Sequence, residues 1–352
     1  MNQDLMRQLA NARGVSGQEE EARDLILAAI DGHVEDVRVD ALGNVLARKP
    51  GAQGAGLPRV LVTAHMDEIG FMLRSIDNDG LLRIYPVGGV DARILPGLRV
   101  SVGPAGVPGV FVWKPIHLGR EQRTVPLDNL RIDIGASDRA GAAAHAKPGD
   151  MITFPGEYMT IGDEAVRGKA LDNRAGCALL VELLQGDPLP CELLVAFTTQ
   201  EEIGLRGASV VVEALQPDLA IVLESTPAHD LPDLAADPDE GIAFNPSTRQ
   251  GAGPVLTVMD SRTIVDPRLL HWLRATSEAE GIPYQLKSAH GGGNDAGAIH
   301  VAGRGVPTAA ISMPARYVHG PAALLRVSDF EHSLALLRAA LNSVSPALLA
   351  HD

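Results

Sequence analysis

Two stretches of alternating strands and helices frame a long middle segment that has neither, and this break in rhythm limits the folds open to the chain. From Lys169 onward the pattern reads helix 173–185, strand 191–199, helix 207–215, strand 219–224, strand 254–259, helix 267–280, strand 306–311 and helix 328–345. Residues 1–30 read as helical, with Leu5, Leu9, Leu25, Ile26 and Ile30 apolar around a "GVSGQEEE" break. Ser16 with Glu19 reads as a capping box for the second of these helices. A hairpin in "VEDVRVDALGNVLARKP" and a buried strand in "PRVLVTAHMDE" follow. Strands alternating with helices predict a parallel or mixed sheet covered on both faces. The middle segment is rich in Gly and Pro, with short runs such as "RVSVGPAGVPGVFVW" and "LRIDIG" and a hairpin signal at Asp77-Asn78-Asp79-Gly80. It reads as a small all-β unit, a compact barrel. The expected organisation is an α/β domain built from residues 1–69 and 165–352, with an all-β insertion at 70–164.

A chain of 352 residues is long enough for two cores. It is 45% hydrophobic but only 3% aromatic, so Val, Leu, Ile and Ala must build most of the interior. A net charge of −14 argues against nucleic acid, which calls for a basic face. No apolar run is long enough to span a bilayer, and the polar, acidic N-terminus has no signal-peptide core. The two cysteines, Cys177 and Cys191, read as small core residues in a reducing compartment. A cytoplasmic protein with neither membrane nor nucleic-acid partners is expected.

Open α/β sheets bind ligands at the carboxyl ends of their strands. "VLVTAHMDE" ends there with His65 and Asp67, "LVAFTTQEE" with Glu201 and Glu202, and "LAIVLESTPAHD" carries Glu224. "RGKALDNRAG" places Asp172 just before a helix, and "TAAISMPARYVHG" runs to His319. Singly these are weak signals: a core histidine, a helix cap, a carboxylate paired with an arginine. Together they crowd carboxylates at one sheet edge, which is repulsive without a cation. His, Asp and Glu without Cys suit Zn²⁺, Co²⁺ or Mn²⁺ in a catalytic site. One catalytic zinc takes about three protein ligands, so five candidates besides Glu201 point to two ions sharing a carboxylate, roughly 3.5–4 Å apart. Gly204 and Gly207 read as turn residues leading away from the site.

The stretches "GVSGQEEEARD", "AHMDEIGFML", "PVGGVDARILPGLRV", "NLRIDIGA", "GKALDNRAGCALLVELL", "TTQEEIGLRGA", "GGGNDAGAIH" and "MPARYVHGP" span nearly the whole chain. In order and spacing they resemble the tetrahedral-aminopeptidase family of two-metal peptidases, which includes glutamyl aminopeptidases and relatives once labelled cellulase-like. The resemblance implies a zinc-peptidase-like three-layer domain, with a mixed sheet between helices and a barrel or PDZ-like dimerisation insertion. It implies that His65 and Glu224 complete one metal site and Glu202 and His319 the other, with Asp172 as the bridge. Asp67 would orient the His65 imidazole, and Glu201 would be the general base. Many relatives carry Asp where this chain has Glu224. "HGGGNDAGAIH" is expected to wall the substrate pocket, with His290 and Asp295 touching substrate. Arg249 is a candidate for recognising an acidic group, against the plainer reading of a solvated arginine. The resemblance further implies dimers that assemble into a tetrahedral dodecamer.

The leading expectation is a metal-dependent aminopeptidase acting on short peptides. A deacylase or carboxypeptidase on the same scaffold is the nearest alternative, although the all-β insertion resembles the aminopeptidases. A glycosidase needs two carboxylates about 5–10 Å apart across the bond and normally aromatic platforms, so adjacent Glu201 and Glu202 in an aromatic-poor chain speak against it. A non-catalytic scaffold would be expected to have lost ligands, and no candidate position is lost.

Overall fold

A computed structural model describes residues 1–52, 57–118, 124–231, 247–288 and 291–349. Its larger sheet has 11 strands. Four central strands, Glu192–Thr198, Arg59–His65, Leu219–Pro227 and Thr308–Arg316, lie side by side in parallel register. All four therefore deliver their carboxyl ends to one edge. Val45–Lys49 and Glu35–Val39 extend the sheet antiparallel on one side, and Ala323–Arg326, Ala165–Gly168 and Met159–Ile161 on the other. Val255–Met259 pairs with both Thr308–Arg316 and Gln285–Ser288.

Alternation along each central strand explains the layering. Val60, Val62, Ala64, Leu193, Val195, Phe197, Ile221 and Ile311 enter one buried cluster with helices Gln3–Asn11, Glu20–Ile30, Leu171–Leu184, Pro267–Glu280 and Val327–Ser343. Their neighbours Leu61, Leu194, Ala196, Ala220, Val222 and Ala310 enter a second cluster with helices Ala208–Leu215 and Ala296–Ile299 on the other face. The result is the expected mixed sheet between helix layers.

The middle segment closes into a six-stranded barrel. Its order is Gly70–Ile76, Leu82–Val87, Ile132–Asp133, Val107–Phe111, Arg99–Val102 and Met151–Thr153. Three of the chain's six phenylalanines meet at its centre: Phe71 stands edge-on to Phe111 at 5.1 Å and to Phe154 at 6.0 Å. The scarce aromatics are thus concentrated where a small core needs large side chains. Gly80 closes the first hairpin with φ +85°, as "DNDG" predicts.

Two expectations need correction. Strand Met159–Ile161 pairs with Ala165–Gly168 in the large sheet, so the chain leaves the barrel before residue 164. Ser16 and Glu19 do not form a capping box: the helix starts at Glu20, Ser16 Oγ donates to Asp67, and Glu19 makes no side-chain cap. The long 228–250 loop falls mostly outside the described residues.

Candidate metal centre

His65 ends its strand with the ring buried at the sheet edge. Its Nδ1 sits 3.1 Å from the Asp67 carbonyl oxygen and 3.4 Å from Asp67 Oδ1. Nε2 then faces Asp172 Oδ1 at 3.4 Å and Glu224 Oε1 at 3.3 Å. His319 mirrors this arrangement. Its Nδ1 donates to the Gly89 carbonyl at 2.8 Å, leaving Nε2 3.5 Å from Asp172 Oδ2 and 3.3 Å from Glu202 Oε2. Asp172 thus spends one oxygen on each histidine. Ring nitrogens held this way are fixed in the tautomer that presents Nε2.

The local backbone explains how these side chains reach one point. Ala170 takes φ +52°, and Asp172 and Asn173 are non-helical although the helix is assigned from Leu171. Asn173 Oδ1 accepts from Gly176 N at 3.1 Å and acts as the cap, which leaves Asp172 free to project. Gln200 and His319 are also left-handed, at φ +55° and +61°. Such residues cost about 1–3 kcal/mol each and persist where surroundings over-determine them. Gly204 turns at φ +116° as expected. Gly207 is different: its backbone is helical, and a Cβ there would lie 2.3 Å from Asn44 Oδ1 and 2.5 Å from the Thr199 carbonyl. Its requirement is close approach, not a turn.

The donor set suits cations. His65, Asp172 and Glu224 offer ligand atoms within 4.8 Å of one another, and so do Asp172, Glu202 and His319. Asp172 Oδ1 and Glu224 Oε2 are buried with no hydrogen-bond partner among the described residues. Burial drives the Glu224 carboxyl up to about 8 against the pull of His65, and raises Glu202 as well. Burial disfavours charge on His319, yet contact with Asp172 and Glu202 lifts its imidazole to about 11.

Glu201 stands beside the clusters without joining either. Burial pushes its carboxyl well above the usual range, His65 opposes this, and Glu224, Asp295 and Glu202 add to it. It lines a cavity of about 490 Å³ together with the clustered residues. Gly292, Gly293 and Asn294 form part of the wall, as expected for that loop. His290 lies outside the described residues. Two other candidates for substrate contact do not line this cavity. Asp295 is 1% exposed and lies behind the wall, its Oδ2 accepting from Thr198 Oγ1 at 2.5 Å. Arg249 is exposed away from the cavity, its backbone N–H bonded to Gln285 Oε1 at 2.7 Å. Arg262 and Lys287, which sequence reading missed, place a guanidinium and an ammonium group on the wall. Gly89 was missed too. A Cβ there would sit 2.9 Å from His319 Nδ1, so glycine lets its carbonyl approach the ring.

A parallel-sheet edge carrying two imidazole–carboxylate clusters joined by one aspartate, with a barrel attached, defines a metal-dependent peptidase. The chain belongs to the M42 glutamyl aminopeptidase family, whose pattern matches residues 43–336. It is 32% identical to the glutamyl aminopeptidase of Lactococcus lactis subsp. cremoris, over 97% of this chain and 96% of that one. It is 31% identical to the lysyl aminopeptidase of Pyrococcus furiosus, over 97% of each chain. The solved TET1 peptidase of Pyrococcus horikoshii, which can assemble into a tetrahedron or a large octahedral shell, is similar with a TM-score of 0.83. The two are 31% identical over 97% of this chain and 99% of that one. The activity is that of a metal-dependent aminopeptidase.

Proposed function

We propose that this aminopeptidase works with two divalent ions, one held by His65, Asp172 and Glu224 and the other by Asp172, Glu202 and His319. The observation that carries this is the division of Asp172 between two histidines. Zn²⁺ or Co²⁺ suits the nitrogen and oxygen donors best, and Mn²⁺ accepts the same donor types. Glu224 stands with its Oε1 3.3 Å from His65 Nε2. Bound there, the ions would polarise the scissile carbonyl and acidify water at the site. Glu201 takes the proton of the attacking water and returns it to the leaving amine. Asp67 keeps His65 oriented and, by accepting from the backbone N–H groups of Glu201 and Glu202 at 2.9 and 3.1 Å, keeps the two glutamates in place.

The test compares free and N-acetylated short peptides before and after chelation. Free peptides are expected to be cleaved and acetylated ones spared. Chelation should abolish cleavage with the fold retained, since the cores of both units are apolar. Equal cleavage of acetylated peptides would favour a deacylase, and native activity after stripping would refute the metal reading.

The cavity wall supports a preference for acidic first residues. Lys287 Nζ donates to Thr226 Oγ1 at 2.6 Å and stands on the wall with Arg262. Asp260 also lies there, but its Oδ1 is committed to the N–H groups of Arg262 and Thr263, at 2.8 and 2.7 Å. A hydrogen bond to a charged group contributes about 1.5–3 kcal/mol, so Glu-anilides should exceed Lys-anilides in kcat/KM by roughly 10- to 100-fold. Lys287→Met should erase most of that ratio while leaving Ala-anilides near the native rate. Lys-anilides cleaved as well as Glu-anilides by the native enzyme would contradict it.

Homo-oligomerisation is part of the proposal. Trp113 and Leu118 on the segment that follows one barrel strand are 57% and 69% exposed, which supports the insertion as a pairing surface. The assemblies of the Pyrococcus horikoshii relative support a shell built from such pairs, up to a dodecamer. Among the described residues no helix is long and apolar enough to cross a membrane. A cytoplasmic location is supported by two buried, unpaired cysteines.

A further inference from the structure

The loop Gly14–Glu19, between the first two helices, contributes nothing to the cavity wall, yet it reaches the back of the site at several points. Ser16 is 3% exposed, and its hydroxyl donates to Asp67 Oδ2 at 2.6 Å. Asp67 passes this constraint forward through its bonds to the backbone N–H groups of Glu201 and Glu202. Glu19 Oε1 accepts from Gln200 N at 3.2 Å and from Gly17 N at 2.7 Å. Val15 bridges to Glu68, and Glu68 N donates to the Gly14 carbonyl at 2.9 Å. Three consecutive amides, of Gln200, Glu201 and Glu202, are therefore pinned by two carboxylates. One of those carboxylates is steadied by the Ser16 hydroxyl.

We propose that Ser16 is a positioning residue for the reaction: through Asp67 it fixes the Gln200–Glu202 turn, so that Glu201 faces the cavity in the orientation proton transfer requires. The inference rests on Glu201 being the general base. Gln200 is left-handed at φ +55°, a conformation that relaxes unless neighbours hold it. An ionised carboxylate only accepts hydrogen bonds, and Asp67 Oδ2 divides its acceptance between the Ser16 hydroxyl and the Glu202 amide. Removing the hydroxyl leaves Oδ2 held by the Glu202 amide alone, and the carboxylate is freer to rotate. The Glu201 amide bonds the other oxygen of the same carboxylate, Asp67 Oδ1, so rotation of that carboxylate carries the slack to the base. Small misplacement of a reacting group costs rate more than binding.

The experiment is a cycle of Ser16→Ala, Glu201→Gln and the double variant, with kcat, KM and bound metal measured for each. Ser16→Ala is expected to lower kcat roughly 10- to 100-fold, with KM and metal content unchanged. In the Glu201→Gln background the same change should cost almost nothing further, because no base remains to be positioned. An equal loss in both backgrounds would show a general structural effect and overturn the proposal. So would an unchanged kcat, or a loss confined to KM or to metal. Glu201→Gln at the native rate would remove the base assignment itself and the proposal with it, and that result is read from a separate variant. Should Ser16→Ala fold poorly, Ser16→Cys keeps a γ atom at the position, slightly larger than the hydroxyl, replaces a strong donor with a weak one and carries the same cycle.

Discussion

Glu201→Gln is expected to slow turnover by about 10²–10⁴-fold while both metal ions stay bound. The amide keeps the size and planarity of the side chain and removes only its ability to take a proton. Glu201 belongs to neither ligand cluster, so metal content should not change. Glu202→Gln, one residue along, should behave differently. Glu202 Oε2 lies 3.3 Å from His319 Nε2 within the second cluster. A neutral amide there weakens one site, so the variant should lose one ion and recover part of its rate in excess metal. The same substitution at two adjacent positions thus separates catalysis from ligation. Elemental analysis of both purified variants decides it. A metal lost from Glu201→Gln and retained by Glu202→Gln would reverse the assignment.

Much of this site was legible because its residues follow from strand ends. His65 ends its strand, Glu201 and Glu202 lie just beyond another, and Glu224 lies within Leu219–Pro227 near its carboxyl end. The apolar runs of these strands are plain in sequence, and the parallel register brings the four residues to one edge. Asp172 was harder, since a carboxylate before a helix reads equally well as its cap. Asn173 takes the capping role, and that is visible only in three dimensions. The misses share a physical cause. Gly89, Ser16 and Lys287 act on residues 230, 51 and 61 positions away, and no local pattern announces such a bond. Asp295 presents the opposite case. Its loop does wall the cavity, but the helix that begins at Ala296 turns its side chain inward to Thr198. Membership of a wall segment does not decide which way a side chain faces.

Asp172→Asn should be the most damaging single ligand change, lowering bound metal below one ion per chain and kcat/KM by roughly 10⁴-fold or more. That magnitude follows from losing the several kcal/mol that metal ions lend to a transition state, at 1.36 kcal/mol per factor of ten. The reason lies in the sharing. Asp172 Oδ1 faces His65 and Oδ2 faces His319, at 3.4 and 3.5 Å, so each oxygen serves a different cluster. An asparagine has one acceptor oxygen and an NH₂ group that only donates. Whichever way the amide turns, one cluster meets hydrogens where a cation belongs. The other keeps an oxygen that has lost its formal charge. Both clusters also hold the remaining carboxylates, Glu202 and Glu224, whose burial is costly without a neighbouring positive charge. Glu224→Gln and His319→Ala each touch one cluster, so each should retain close to one ion. Titration of metal into the stripped proteins, followed by elemental analysis and activity, gives the comparison. If Asp172→Asn keeps two ions as tightly as the native chain, Asp172 is not the shared ligand. If it loses no more metal than His319→Ala, the two clusters are independent sites.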